Sequence, residues 1–564
     1  MSAASQSESL TSAQSTANTG DRRWVLGWSL VVLLLAFVPF MVAYYVQPAD
    51  GRFMGFLWNA TDGNSYISRM EAGRRGEWLL HLTFTSEDHP GVLLHTGYYL
   101  LGKLAGLFNL PNILVFHLAR VAAGAFLLYA SWRFICRYFD RKVTRRTAFL
   151  LVCFGAGLGW LAAPLNLTDS TDLWVAESLS FFSILAHPHF PLATALLILS
   201  LMWLQDGWEA PDEKTAWRAY LKASLGGFFL GWVHPFLVVT LGVVAGVTLI
   251  RRNLAERRLD RRAWGGMVTL AVFALPMPIY VYFALNGNAV LAAYMKQNDA
   301  LSPLPFYYLL GYGLLTLLAL VGGWWVEASG RNSLTAPMRL RWQLVTTWTV
   351  ITCLLLYIPF NFQRRFVEGL HLPVVLLATA GFFFLARKWK PGAQARRANM
   401  LVIVCSITTF LVLGTFVSNI FARGPNGDIH PLYLYNDEVA AMNWLRLNTQ
   451  PSDTVIAGPV LGSYIPAFAG NRTFFGHQTE TINRTEKLEL LQQFFQFKMS
   501  REEMFAFIQK YGLKYVVIGP DEARMFAESL GENDSENPTV TSLQDLGWAP
   551  VYVTQKVQVY RLVV

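Results

Sequence analysis

Arg22-Arg23-Trp24-Val25-Leu26-Gly27-Trp28-Ser29-Leu30-Val31-Val32-Leu33-Leu34-Leu35-Ala36-Phe37-Val38-Pro39-Phe40-Met41-Val42-Ala43-Tyr44-Tyr45-Val46 sets two cations in front of a long apolar run. The run is long enough to cross roughly 30 Å of hydrocarbon. It is about twice the length of a signal-peptide apolar core. No small-residue cleavage site follows, so it reads as a retained helix. Lys and Arg collect on the cytoplasmic side of membrane spans, so the chain is expected to start inside.

Runs of the same kind recur as far as Phe421, and of 564 residues 53% are hydrophobic and only 15% charged. This composition excludes a soluble enzyme. A backbone in lipid must satisfy its own hydrogen bonds, so the spans are predicted to be helices and a porin-like barrel is excluded. The runs fall at 24–46, 112–138, 147–165, 188–204, 219–233, 235–250, 264–286, 303–326, 342–360, 370–387 and 399–421, about eleven crossings. His234-Pro235 breaks the pair 219–250, because proline removes a backbone donor. Two short crossings are expected there, with one kinked span as the alternative. Gly91 to Phe108 carries Lys103 and His95 and is read as an interfacial helix.

The net charge of +9 lies in short clusters between spans, Arg141 to Arg146, Arg251 to Arg262, Arg339 to Arg341 and Lys388 to Arg397. These are topology markers rather than a nucleic-acid surface. Cys136, Cys153, Cys353 and Cys405 lie in or beside apolar segments without paired or metal-ligand spacing and read as buried thiols. Residues 1–20, rich in Ser, Ala, Thr and Gln, are expected to be a disordered cytoplasmic tail. Residues 21–421 are then a transmembrane domain with outer loops 47–111 and 165–188. Residues 422–564 form a small external α/β domain. Its helices are predicted at Asp437 to Leu447, Arg484 to Phe497 and Arg501 to Tyr511. Strands are predicted at Thr454 to Ala457 and Lys514 to Ile518, and a closing hairpin at Pro550 to Val553 with Val557 to Val563.

On that parity, Asn361-Phe362-Gln363-Arg364-Arg365-Phe366-Val367-Glu368 lies on the outer face, where paired cations are unusual. Guanidinium is a planar fork for phosphate oxygens. Arg364 and Arg365, with Gln363 beside them, therefore suit a polyprenyl phosphate or pyrophosphate. Ordinary snorkelling, with Glu368 as ion-pair partner, is the other reading.

The first outer loop reads Asn59-Ala60-Thr61-Asp62-Gly63-Asn64-Ser65-Tyr66-Ile67-Ser68-Arg69-Met70-Glu71-Ala72, then Thr85-Ser86-Glu87-Asp88-His89-Pro90. An acid soon after the first span, a short helix and a second acidic cluster resemble the first external loop of the GT-C integral membrane glycosyltransferases. That superfamily includes protein O-mannosyltransferases, aminoarabinose transferases of lipid A and oligosaccharyltransferase catalytic subunits. Leu118-Ala119-Arg120-Val121, the span count and the external tail extend the resemblance. Asp62 is followed by Gly63 rather than a second acid, and the tail lacks a WWDYG-like motif, so the subfamily stays open.

The resemblance implies a hexosyl or pentosyl transferase of inverting type. It would take a polyprenyl-phosphate sugar donor and a lipid, glycan or protein acceptor, with no nucleic acid. Asp62 would accept the proton of the acceptor hydroxyl. Capping of a helix beginning at Gly63 is its alternative. Tyr66 and Arg69 share the helical face of Asp62 and are binding candidates, though Tyr66 also reads as an interfacial anchor.

Glu87 and Asp88 suit a divalent metal or substrate orientation, or a solvated loop. His187 and His189, after the acids Asp169, Asp172 and Glu177, suit a sugar or phosphate, with a metal as the lesser option. His234 either joins that cavity or is satisfied at the helix break. Gly458 to Tyr464 and Gly476 to Glu480 read as loops, as turns or as acceptor contacts. A transporter or lipid flippase without covalent chemistry is the rival class.

Overall fold

The computed structural model describes residues 19–328, 334–423, 429–530 and 546–563. Nearly all of the expected N-terminal tail, residues 1–18, lies outside the described residues. The chain is a polytopic helical membrane protein with a small sheet near its C-terminus, and helices stand at all eleven expected spans. Seven described helices are long and apolar enough to cross singly, and nine crossings result if each of two bent pairs counts as one. Glu213–Val233 and Ala336–Leu355 fall short of that test. Lys214, Arg218 and Lys222 dilute the first, and Arg339 and Arg341 the second. The expected span 303–326 is a pair, Pro305–Tyr312 and Leu314–Glu327, bent by 92°.

The His234-Pro235 break joins two full helices of 21 residues each, Glu213–Val233 and Phe236–Glu256, not two short ones. Arg262 Nη2 donates to the carbonyl of Ala210 at 3.0 Å, so the chain returns to the end from which it left. A single kinked span is thereby excluded.

That end gathers the basic clusters. Arg145 and Arg146 bind Asp21 at 2.8 and 3.0 Å, and Arg141 donates to Gln394 at 2.8 Å. Arg341 pairs with Glu209 at 2.6 Å, and Arg251 with Glu327 at 2.6 Å. Tyr138 and Gln205 both donate to the Arg341 carbonyl, tying these pairs into one layer.

At the opposite end the first loop is built into the C-terminal region. Strand β1 (Gly51–Phe53) pairs antiparallel with β2 (Tyr433–Tyr435). The backbone N–H of Thr473 donates to Thr83 O at 2.8 Å, and Thr481 Oγ1 to Phe84 O at 2.9 Å. Beyond β2, strands β3 (Thr454–Ile456), β4 (Arg472–Thr473), β5 (Leu513–Ile518), β6 (Ala549–Val553) and β7 (Gln558–Arg561) form one mixed sheet in the order β4-β3-β5-β7-β6. The β3 neighbours are parallel, and the β6–β7 hairpin closes the sheet antiparallel. Helices Asn436–Asn448, Arg484–Phe495 and Arg501–Tyr511 fall where the sequence predicts them. Gly458 to Tyr464 does not form a loop. Pro459 stands in the first turn of the helix Pro459–Phe468, where its missing N–H costs nothing.

The segment read as interfacial is the helix Thr96–Leu107, at 12 residues too short to cross. It packs on the helix Ala60–Arg74 through glycine. A Cβ on Gly102 would strike the Met70 carbonyl, and one on Gly73 the Tyr99 carbonyl. This close crossing fixes the helix that carries Asp62.

Candidate active site

Asp62 stands in the first turn of Ala60–Arg74, two residues inside its start, so it does not cap a helix beginning at Gly63. Asn59, in the left-handed region at φ 47°, precedes the helix and donates its amide to Asp62 Oδ2. His477 Nε2 lies 3.2 Å from Asp62 Oδ1. The Asp62 side chain remains 43% exposed although protein surrounds it, which makes it a cleft-lining group. Burial pushes its carboxyl up, but the contact with His477, with His187 and Arg365 nearby, wins and holds it at about 2. It is therefore anionic throughout the physiological range.

One and two turns on, Ser65 and Arg69 face the same loop. Arg69 Nη2 binds Glu480 at 2.9 Å with both side chains shut off from solvent, and Ser65 donates to the same carboxylate. Arg69 and His477 hold the Glu480 carboxyl below its ordinary value against the burial that would raise it. Arg69 is thus committed to Glu480, and the structure gives it a clamping place rather than an open one.

Tyr66 stacks on Tyr98 with centroids 4.4 Å apart and meets His187 and His189 edge-on at 5.1 Å each. His189 Nδ1 lies 2.6 Å from the Tyr98 hydroxyl. Burial raises the Tyr66 phenol well above its ordinary value, so it is a neutral donor. His234, at the helix break, lies 2.6 Å from the buried Glu368 and 5.7 Å, ring to ring, from His189. The histidine thus joins the cluster.

The two arginines diverge. Arg365 Nη2 donates to Asn298 Oδ1 at 3.1 Å, its guanidinium lies 5.2 Å from the Phe236 ring, and its charge reaches Asp62. Arg364 lies over Trp174 at 4.6 Å and 3.7 Å from Glu177. The Gln363 side-chain amide faces the carbonyls of Leu356 and Ile358, a local tie. Glu368, offered above as a partner for these arginines, serves His234 instead.

Glu87 and Asp88 lie elsewhere. Lys487 binds Glu87 at 2.6 Å, and Arg472 binds the 91% exposed Asp88. Each carboxylate is met by a cation from the C-terminal region, so the pair staples the loop down. Asp172 is likewise structural, accepting the N–H groups of Gly157 and Gly159 at 3.1 and 2.9 Å at the 42° bend. Among the described residues no group of three or more His, Cys, Asp or Glu is placed to hold a metal ion.

Sequence reading offered Gly476 to Glu480 only as a loop, a turn or an acceptor contact, and did not single out Gln297. Gln297 donates to the carbonyls of Thr479 and Thr481 at 2.6 and 2.7 Å, while its neighbour Asn298 holds Arg365. Two adjacent residues thereby join the His477 loop to the phosphate-binding candidate. The signal in sequence was the run Gly476-His477-Gln478-Thr479-Glu480, polar and chemically loaded within an otherwise ordinary tail. A cavity of about 330 Å³ on the far face of the Asp62 helix, lined by Ile67, Glu71, Arg74 and Phe468, does not include this constellation.

No family model matches the chain, and no curated protein matches it in sequence. Solved structures do resemble it. The oligosaccharyltransferase of Archaeoglobus fulgidus in the apo form aligns over 87% of this chain and 69% of its own, at a TM-score of 0.50 and 13% identity. The arabinofuranosyltransferase AftD from Mycobacteria aligns over 96% of this chain and 40% of its own, at a TM-score of 0.51 and 14% identity. The chain shares a GT-C-like fold with these structures.

Proposed function

We propose that this chain is a membrane glycosyltransferase that moves a sugar from a polyprenyl-phosphate-linked donor to a lipid, glycan or protein acceptor on the outer face of the membrane. The observation that carries the reading is the Asp62 carboxylate, 43% exposed and 3.2 Å from His477, on the helix whose Tyr66 meets His187 and His189 at 5.1 Å each. The GT-C-like fold supports it by analogy, since both neighbours are named for glycosyl transfer. The gathering of basic clusters at one end supports a cytosolic face there. The Asp62 end, with the C-terminal region, then faces outward.

In this reading the donor phosphodiester rests on Arg365, with Arg364 at the rim, and the sugar lies along Tyr66, His187 and His189. The acceptor oxygen attacks the anomeric carbon from the face opposite the phosphate, and the anomeric C–O bond breaks. The electron pair leaves with the polyprenyl phosphate, and the hydroxyl proton passes to Asp62. A strong base is not needed. The hydroxyl becomes acidic only as its bond to an oxocarbenium-like carbon forms, and a carboxylate held anionic also stabilises that positive centre. Charge growing on the departing phosphate is met by the guanidinium of Arg365.

The test is transfer of radiolabelled sugar from a polyprenyl phosphate donor in proteoliposomes, with the product's anomeric configuration read by NMR. Transfer with inversion, lost in Asp62→Asn, is expected. Movement of the lipid across the bilayer without a glycosylated product would instead establish the flippase class.

A further inference from the structure

His477 is held from three sides. Its Nδ1 accepts the backbone N–H groups of Thr479 at 3.1 Å and Glu480 at 3.2 Å. Thr481 Oγ1 accepts the N–H groups of Gly476 and His477 at 3.2 and 3.1 Å while donating to Phe84 O. Gln297 fixes the carbonyls of the same loop.

Asp62 and Glu480 face the ring from the helix Ala60–Arg74 and from its own loop. Arg69 stands beside Glu480, the Phe84 ring lies 5.3 Å away, and His187 and Arg365 lie beyond Asp62. Burial works against a charged imidazole, and the two carboxylates draw it the other way. Geometry decides the matter. Two N–H groups already point at Nδ1, so the ring's single proton sits on Nε2, facing Asp62.

We infer that His477 is a positioning residue for Asp62: its Nε2, 3.2 Å from Oδ1, stands against the carboxylate and keeps it turned toward the cleft, without itself taking the substrate proton. A relay is ruled out because Nε2 is already protonated and Nδ1 is filled. Asn59 donates to Oδ2. Each oxygen keeps a lone-pair direction for the incoming hydroxyl. The C-terminal region thereby completes the site, and release of the 476–481 loop would leave Asp62 unaimed. This inference rests on the reading of Asp62 given under Proposed function.

Two substitutions separate the functions of the two ring nitrogens. In His477→Asn the amide oxygen replaces Nδ1 as the loop's acceptor, but no donor reaches Asp62. In His477→Gln the amide N–H falls about where Nε2 lies. Transfer is measured from pH 3 to 8 in proteoliposomes, with kcat and donor KM separated and melting temperatures recorded.

His477→Gln is expected to stay within about threefold of wild type, and His477→Asn to lose about tenfold or more in kcat at unchanged donor KM. In His477→Asn an acid limb should also appear as the Asp62 carboxyl climbs from about 2 toward 3.8. A His477→Asn protein with wild-type kcat and pH profile overturns the inference. So does an equal loss in both variants with lowered melting temperature and no acid limb, which is the mark of a merely structural residue. Wild-type transfer by Asp62→Asn would fell the reaction reading itself. A dead Asp62→Asn beside a normal His477→Asn fells only this inference.

Discussion

Arg365 donates to Asn298 at 3.1 Å, while Arg364, its neighbour in the chain, turns away to Trp174 and Glu177. A short 3₁₀ segment, Gln363–Val367, splits the pair, because at three residues per turn successive side chains point about 120° apart. Among the described residues Arg365 has no carboxylate partner, while Arg364 lies 3.7 Å from Glu177.

Arg365→Ala should therefore raise donor KM and lower kcat, with kcat/KM falling by about a hundredfold, as for the loss of a charge-assisted contact to a developing anion. Arg364→Ala should lose less than tenfold. Donor titrations of both variants check the ranking, and equal losses would contradict it.

The Arg69–Glu480 pair makes a stability prediction. Both side chains are buried, so Glu480→Gln strands a desolvated guanidinium at a cost of about 3–5 kcal/mol. Pairing it with Arg69→Met should recover much of that loss. Unfolding in detergent measures both, and an Asp62 environment that survives in the double variant would separate scaffold from chemistry.

The helix crossing beneath the site tolerates no side chain. Gly102→Ala would drive a methyl into the Met70 carbonyl. Overpacking of this kind costs about 1–3 kcal/mol. Because Met70 lies on the Asp62 helix, transfer should fall along with the melting temperature, and Gly97→Ala, which has open space, is the control.

Glu522 gives the C-terminal region an alkaline weakness. Its carboxyl is buried, accepts the N–H groups of Gly458 and Gly519, and is pushed up from 4.5 to about 7. Above pH 4.5 the folded state binds more protons than the unfolded one, so stability falls as pH rises and levels off past about 7. The full span is worth about 3 kcal/mol at most. His430, raised to about 10 by Asp521 and Glu438 against its burial, adds loss of the same sign at higher pH. Glu522→Gln should flatten the lower part of the profile, as followed by melting temperature between pH 5 and 9.

Local pattern carried the fold a long way. Apolar runs and basic flanks located a helix at each of the eleven expected spans, and period-two and helical patterns located most of the C-terminal elements, because burial and charge placement act residue by residue. The bend of 92° after Tyr312 and the docking of the first loop on β2 were not legible, since both depend on contacts between residues far apart in the chain. At the site, Asp62, Tyr66, His187, His189 and Arg365 do converge. Arg69, Glu87 and Asp88 had the right chemistry for binding but are taken by Glu480, Lys487 and Arg472. Their partners come from some four hundred residues away, and no local pattern announces such a pairing. The placement of His477 against Asp62 was hidden for the same reason.

The most direct measurement is a cryo-EM structure of the Asp62→Asn protein with a polyprenyl-phosphate sugar bound. The account predicts the phosphate within hydrogen-bond reach of Arg365, and the anomeric carbon facing residue 62 with room for one hydroxyl between them. A phosphate bound away from Arg365, or a sugar turned so that residue 62 cannot reach the attacking oxygen, would contradict it.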